Sequence, residues 1–583
     1  MSGAVTEVLT TDVLVVGGGA GALRASVAAA ERGVDVTLVC KDVTARSGAT
    51  PWCDRSSSYE LCGIGASLCD DEGFYNDLNS VNAGLNIQPL TKAVAYSSTE
   101  TIRYLDKLGV RFEKYPDGRF VQVREAGYSR PRLVYSRWGV GTEVVRALKQ
   151  EAERLNVHIV DWMYALGLLT KGRRIVGALM LDLEKGTTMV VQSKATVMAT
   201  GGVGCLIMPT LYPQDVSGDG LAIAYKAGAE LTNVEFVYSL PLVVYPTYGL
   251  GLLTPALTSG TFTNSRGEEF PAPEVPPITY SENYLGVPPD PSEEGLWVPA
   301  LMFYGKLTPW ISVQMRNGLT GPHGGVFWRL DTKKMPVETF ANRYPATYRR
   351  LLSSGVDLLE DALEFAPFGH YLMGGIRINE KCESSLPGLY AAGEVSAGVF
   401  GASRLLGAGI IEALTTGKIG GESAAEYAKS LASNLRPDKG MIESEKGRIS
   451  ELYKRRSGVR FEKVRDNLHK ALYAVFATKD QASLVEALGK LEALKAEVNG
   501  IYVPTDAFPS HRIKEMAKVF ETENMVLVGE IYARASLRRT ESRGHHRRTD
   551  YPKASPEWLR RIIVRNDGGA MKVSVGPELS ASK

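Results

Sequence analysis

No apolar run in this chain of 583 residues approaches the roughly 20 residues needed to cross a bilayer, and the N-terminus lacks a charged segment followed by a secretory apolar stretch. Both absences point to a cytoplasmic chain, or one peripheral to a membrane through a partner. Cysteine is scarce: the six present (Cys40, Cys53, Cys62, Cys69, Cys205, Cys382) form no C-x-x-C pair. That speaks against a disulfide framework and against a metal or iron-sulfur site in this chain. An excess of one charge is missing too. Lys and Arg number 67 against 65 Asp and Glu, a net charge of +2, so no long-range field singles out nucleic acid or a membrane as partner. With 44% apolar and 23% charged residues the composition is that of a globular protein, and the length implies about three or four domains.

Glycine, by contrast, is concentrated where it carries information. The apolar run Asp12-Val13-Leu14-Val15-Val16 reads as a strand, Gly17-Gly18-Gly19-Ala20-Gly21 follows at once, and Ala22 to Ala30 reads as a helix ending near Gly33. A second strand, Val36 to Val39, completes a βαβ unit. Gly17, Gly19 and Ala22 meet the pattern G-x-G-x-x-G/A, small because the turn is tight, a pyrophosphate must touch backbone, and the helix must pack on the strand. Cys40-Lys41 stands where an acidic residue for ribose hydroxyls is expected. Two later strands run into glycine turns, Val197 to Gly202 and Gly388 to Glu394. The late strand has no use in a nicotinamide-only enzyme, so the combination favours FAD.

Six ordered motifs extend the reading. They are Arg46-Ser47, Ser217-Gly218-Asp219-Gly220, His370-Tyr371-x-Met373-Gly374-Gly375, Ala392-Gly393-Glu394, Gly401-Ala402-Ser403-Arg404-Leu405, and Glu541-Ser542-Arg543-Gly544-x-His546 running to Asp550-Tyr551-Pro552. In these the chain resembles the flavoprotein family of succinate dehydrogenase, fumarate reductase, L-aspartate oxidase and the flavoprotein component of adenylylsulfate reductase. The resemblance implies an α/β fold: a discontinuous Rossmann-type FAD-binding domain (1–240 and 355–425), an inserted α+β capping domain (241–354), a helical domain (426–552) and a small C-terminal extension (553–583). Helical spacing over Ser423 to Leu431 and Ser483 to Val498 fits the helical domain, and Met571 to Val575 reads as a strand. The cofactor set it implies is Gly17, Gly19, Ala20, Gly21, Ala22, Cys40, Lys41, Ser47, Gly48, Ala49, Thr50, Ala199, Thr200, Gly201, Asp219, Gly393, Glu394, Arg404, Gly409 and Ile410. Gly48-Ala49-Thr50 replaces the histidine that attaches the flavin in the dehydrogenases, so FAD is expected to bind non-covalently.

By the same resemblance Arg404 anchors the substrate and His370 binds or polarises it. A guanidinium stays charged and matches a carboxylate or similar oxyanion, and an imidazole can be tuned near neutrality. His546 and Arg543 read as structural ties between domains. The departures are as informative. The family's His-Pro-Thr turn is here Tyr238-Ser239-Leu240-Pro241-Leu242, and its proton-delivering arginine is missing around Thr254 to Thr258, with Arg266 a poor substitute in a surface turn. Leu240, Leu242, Leu252 and Leu253 suggest a different substrate wall, to which Tyr238, Tyr245 and Tyr248 could add hydroxyls. The leading expectation is a flavoprotein subunit that works on a small anionic substrate and exchanges electrons with an iron-sulfur partner. Sulfur chemistry like that of adenylylsulfate reductase, a stand-alone oxidase like L-aspartate oxidase, and a non-catalytic electron-transfer subunit remain as alternatives.

Overall fold

The computed structural model describes residues 7–56, 63–123, 125, 127–252, 254–272, 298–504 and 509–579. Leu253 and Cys62, weighed above, lie outside them. The run from Val13 to Val16 is buried on both faces, as a near-continuous apolar strand in a parallel sheet must be. It ends the strand Glu7–Val16, which pairs in parallel with Val36–Val39 on one side and Thr188–Met198 on the other. Across the main sheet the order runs His158–Val160, Val36–Val39, Glu7–Val16, Thr188–Met198, Arg174–Asp182, Met163–Lys171. The late strand Leu389–Ala391 joins Thr188–Met198 in parallel at its C-terminal end, so three glycine turns that are distant in sequence open side by side.

Helix Ala20–Ala30 lies against a 22-residue helix, Ala408–Lys429. The periodicity expected from Ser423 is only the last part of this longer helix. Its earlier turns carry no amphipathic stripe because they are buried nearly all round, and they include glycines where backbone meets backbone. A Cβ on Gly421 would lie 2.2 Å from the Ala25 carbonyl oxygen, and one on Gly417 would lie 2.6 Å from that of Gly21. The two helices therefore approach more closely than any side chain would permit.

A four-stranded antiparallel sheet, ordered Val237–Tyr245, Leu363–Leu372, Val326–Leu330, Gly260–Thr263, stands beside the main sheet. Helices Lys439–Lys454, Phe461–Tyr473, Gln481–Val498 and Pro509–Arg538 follow in the chain. Gln481–Val498 starts where Asp480 and Ser483 cap each other reciprocally. The C-terminal hairpin Arg560–Asp567 and Ala570–Glu578 adds to Leu231–Thr232, tying the end of the chain back to its middle. Among the described residues no helix is long and apolar enough to cross a membrane.

Candidate active site

A cavity of about 320 Å³ runs along the C-terminal ends of the main-sheet strands. At one end is the Gly17 to Gly21 turn. Gly17 has φ of +138°, and a Cβ there would lie 2.2 Å from the Ala199 carbonyl oxygen, so only glycine fits. Helix Ala20–Ala30 starts at Gly19 with no side-chain cap. Ala20 N–H donates to Thr50 Oγ1 at 3.3 Å, and the rest of the first turn with its positive dipole end makes an anion site. All the residues assigned above to the cofactor line this cavity except Ala22, which is buried behind the turn and packs against the position a Gly17 side chain would take.

Lys41 reaches past the nucleotide turn. Its ammonium donates to Ser217 Oγ at 2.9 Å, Asp219 Oδ2 at 2.8 Å and Glu521 Oε1 at 2.9 Å, the last on helix Pro509–Arg538. Asp219 also accepts from Tyr164 and Asn524, each at 2.9 Å. Burial disfavours the Asp219 carboxylate, but Lys41 and these donors prevail and hold its pKa well below the usual range. Farther along, Glu394 accepts from the Leu372 N–H at 3.1 Å and the Tyr212 hydroxyl at 3.2 Å, while burial pushes its pKa up to about 7.

The far end is built around a bulge. Tyr238 pairs with Tyr371 and Ser239 with Gly369, so His370 is the extra residue between two registers. A bulge of this kind re-aims the side chain it carries, and His370 lines the cavity. Burial, then Arg404 and His545, holds the imidazole well below its ordinary pKa, so it is neutral, and its Nδ1 has no partner among the described residues. The Arg404 loop is pinned by backbone: Ala402 N–H donates to Asn82 O at 3.0 Å and His545 N–H to Ala402 O at 3.1 Å. The Arg404 guanidinium is 4% exposed and lies 4.0 Å from the Tyr371 ring centroid and 5.4 Å from that of Tyr238. Tyr371 in turn donates to Glu412 at 2.7 Å, a carboxyl pushed up to about 8 by burial. Arg404 makes no ion pair among the described residues, and its Nε is buried without a partner.

Several residues enter the site with no motif to announce them: Glu125, Tyr212 and Asp215 on the wall, and Glu412 behind Tyr371. Tyr238, Tyr245 and Tyr248 do not line the cavity. Tyr238 packs behind His370, while Tyr245 and Tyr248 are 45% and 51% exposed. Arg266 sits in an exposed turn. His546 is buried and hydrogen-bonded to the Arg539 carbonyl seven residues earlier, so that bond ties no two domains, whereas Arg543 bonds Glu541 and the carbonyls of Ala83 and Ser555 and so joins distant segments.

Unpartnered buried atoms of Thr200, Asp215, His370 and Arg404 all belong to residues of the cavity wall. Small residues where a pyrophosphate needs backbone, a buried carboxyl at the middle and a free cation at the end fit an FAD with a substrate beyond it. The class is thus a flavin-dependent oxidoreductase. Comparison with known proteins agrees: residues 12–410 match the FAD binding domain family and residues 465–579 the fumarate reductase flavoprotein C-terminal family. The chain belongs to the succinate dehydrogenase/fumarate reductase flavoprotein family. It is 29% identical over 565 residues to one subunit of the fumarate reductase (CoM/CoB) of Methanothermobacter marburgensis, covering 96% of this chain and 98% of that one. It is 26% identical over 579 residues to L-aspartate oxidase of Mycobacterium bovis, covering 97% of each. The structure superposes on Mycobacterium smegmatis Sdh1, solved in complex with UQ1, with a TM-score of 0.84 at 25% identity over 98% of this chain and 95% of that one.

Proposed function

We propose that this chain is the flavin-bearing subunit of a two-electron oxidoreductase that holds a small anionic substrate on Arg404 and exchanges electrons with an iron-sulfur protein. The observation that carries the reading is Arg404: a buried guanidinium with no acidic partner among the described residues, pinned at a cavity wall by two tyrosine rings. A buried cation without a counter-ion is costly, and an anionic ligand removes that cost. The partner reading draws support from the Methanothermobacter relative, which is itself one part of a larger enzyme.

FAD, when bound, supplies the two-electron acceptor or donor. The chain's own residues do the rest. The Gly17 to Gly21 turn and the start of helix Ala20–Ala30 would hold the pyrophosphate, and Glu394 would bind the cofactor between its two ends. Arg404 fixes the anionic head of the substrate, His370 offers a neutral imidazole for one hydrogen bond, and the strand bearing Leu240 and Leu242 excludes water from the reacting end. With glycine at position 48, attachment is non-covalent.

Binding of carboxylate probes to the FAD-loaded protein, read as a perturbation of the flavin spectrum, tests the anchor. Arg404→Ala is expected to weaken it by roughly 30-fold or more, the loss of one partner of a buried charge pair. Unchanged binding refutes the anchor. Purification from the native host, with the absorption spectrum read for iron-sulfur bands, tests the partner: flavin bands alone, with no second protein, argue against it.

A further inference from the structure

Two basic side chains line the cavity among the described residues, Lys41 and Arg404. Lys41 lies at the nucleotide end and is neutralised by Asp219 and Glu521 at 2.8 and 2.9 Å. At the reacting end Arg404 is alone. The acidic side chains of the wall are Glu125, Asp215, Asp219 and Glu394, and the imidazole there is neutral. A second carboxylate on the substrate would therefore find one hydrogen bond at most from His370 and, among the described residues, no second positive charge.

What it would find is leucine. Leu240 and Leu242 are two apart on strand Val237–Tyr245 and so present one face to the cavity. Leu252 continues that face: Leu250 bridges to Val243, and a Cβ on Gly251 would lie 3.2 Å from Leu242 Cδ2. The three leucines are 9%, 4% and 6% exposed. An ionised carboxylate against such a wall is desolvated with nothing in return, whereas a methyl or methylene group gains.

We propose that the substrate is a monoanion: its acidic head lies on Arg404 and its body is apolar, as in a short aliphatic or branched monocarboxylic acid or its 2,3-unsaturated form, and it is not a dicarboxylate. The proposal rests on the Arg404 reading above and adds the chemistry of the other end. Lengthening the apolar body by one methylene tightens binding roughly fourfold until the Leu240, Leu242 and Leu252 face is covered. Placing a carboxylate there instead weakens binding by about tenfold or more.

The test is an equilibrium titration of the full FAD-loaded chain with propanoate, butanoate, hexanoate, crotonate, succinate and fumarate, read both by the flavin spectrum and by calorimetry, so that ligand binding is seen without turnover. The expected result is a rise in affinity from propanoate to hexanoate, with crotonate above fumarate and butanoate above succinate. Leu240→Lys, which adds a second cation, is expected to reverse the last two preferences. Leu242→Ala, which adds no charge, is expected to flatten the gain with chain length. Succinate or fumarate binding as tightly as its monoacid counterpart, in a manner that Arg404→Ala abolishes, overturns the monoanion and leaves the anchor standing. Failure of every carboxylate to bind, or binding indifferent to Arg404→Ala, overturns both.

Discussion

Arg539→Met is the sharpest test of how the site is held. Arg539 is fully buried and donates to Glu235 at 2.8 Å, to Glu541 at 2.8 Å, and to the carbonyls of Trp558 and Arg560 at 3.1 and 2.8 Å. It thus joins the entry to strand Val237–Tyr245 to the C-terminal hairpin, beside the segment whose His545 pins the Arg404 loop. Glu541 keeps Arg543 as a partner at 2.8 Å after the substitution, but Glu235 does not. Burial already raises the pKa of Glu235, and one of its oxygens has no partner. Breaking a buried pair costs about 3–5 kcal/mol. If the 583-residue chain melts as one unit, its unfolding entropy is on the order of 1.2 kcal/mol/K, so the melting temperature falls by about 3 °C. Scanning calorimetry reads that shift directly. The decisive comparison is the double variant Arg539→Met with Glu235→Leu, which removes the stranded carboxylate and is expected to recover at least half of the loss. A single variant melting with the parent, or a double variant melting below the single, refutes the reasoning.

Further expectations concern the cofactor and pH. Acid precipitation releases all the flavin into the supernatant, because position 48 offers no attachment atom; colour retained by the pellet contradicts this. Gly421→Val, which forces apart two helices in backbone contact, lowers the flavin occupancy of purified protein and weakens FAD re-binding to the stripped protein, measured by fluorescence titration. Glu412 has a folded pKa of about 8, above its ordinary value, so its contribution is present below the unfolded pKa near 4.5 and is lost as pH rises through 8. The melting temperature is therefore expected to decline between about pH 5 and 8, and Glu412→Gln to flatten part of that decline; an identical pH profile in the variant counts against the assignment.

What could be seen in the sequence divides along a physical line. The βαβ turn was legible because its signals are local: a doubly buried strand must be continuously apolar, and a pyrophosphate turn must be small within five residues. That His370 and Arg404 reach the cavity wall is legible because they sit in short motifs, although nothing in the chain spells out the bulge that aims His370. Pairings across long separations left no trace. Tyr212 meets Glu394 at a separation of 182 residues and Tyr371 meets Glu412 at 41, and neither pair has a spacing that a pattern could detect. Helix Ala408–Lys429 shows its period only near its end for a different reason: a helix buried nearly all round loses the periodicity by which helices are recognised. Lys41 had a position but no partners, because one of them, Glu521, lies 480 residues away.

That last distance has a temporal meaning. At 5–20 residues per second of synthesis, Glu521 follows Lys41 out of the ribosome on the order of a minute later. Asp219 arrives sooner, so for much of that interval the Lys41 ammonium has one of its two carboxylate partners and lacks the other. The lysine beside the Gly17 to Gly21 turn is thus made well before the helix that completes its ion pairs. Until helix Pro509–Arg538 has docked, Lys41 at the nucleotide end lacks the Glu521 carboxylate that holds it in the folded chain.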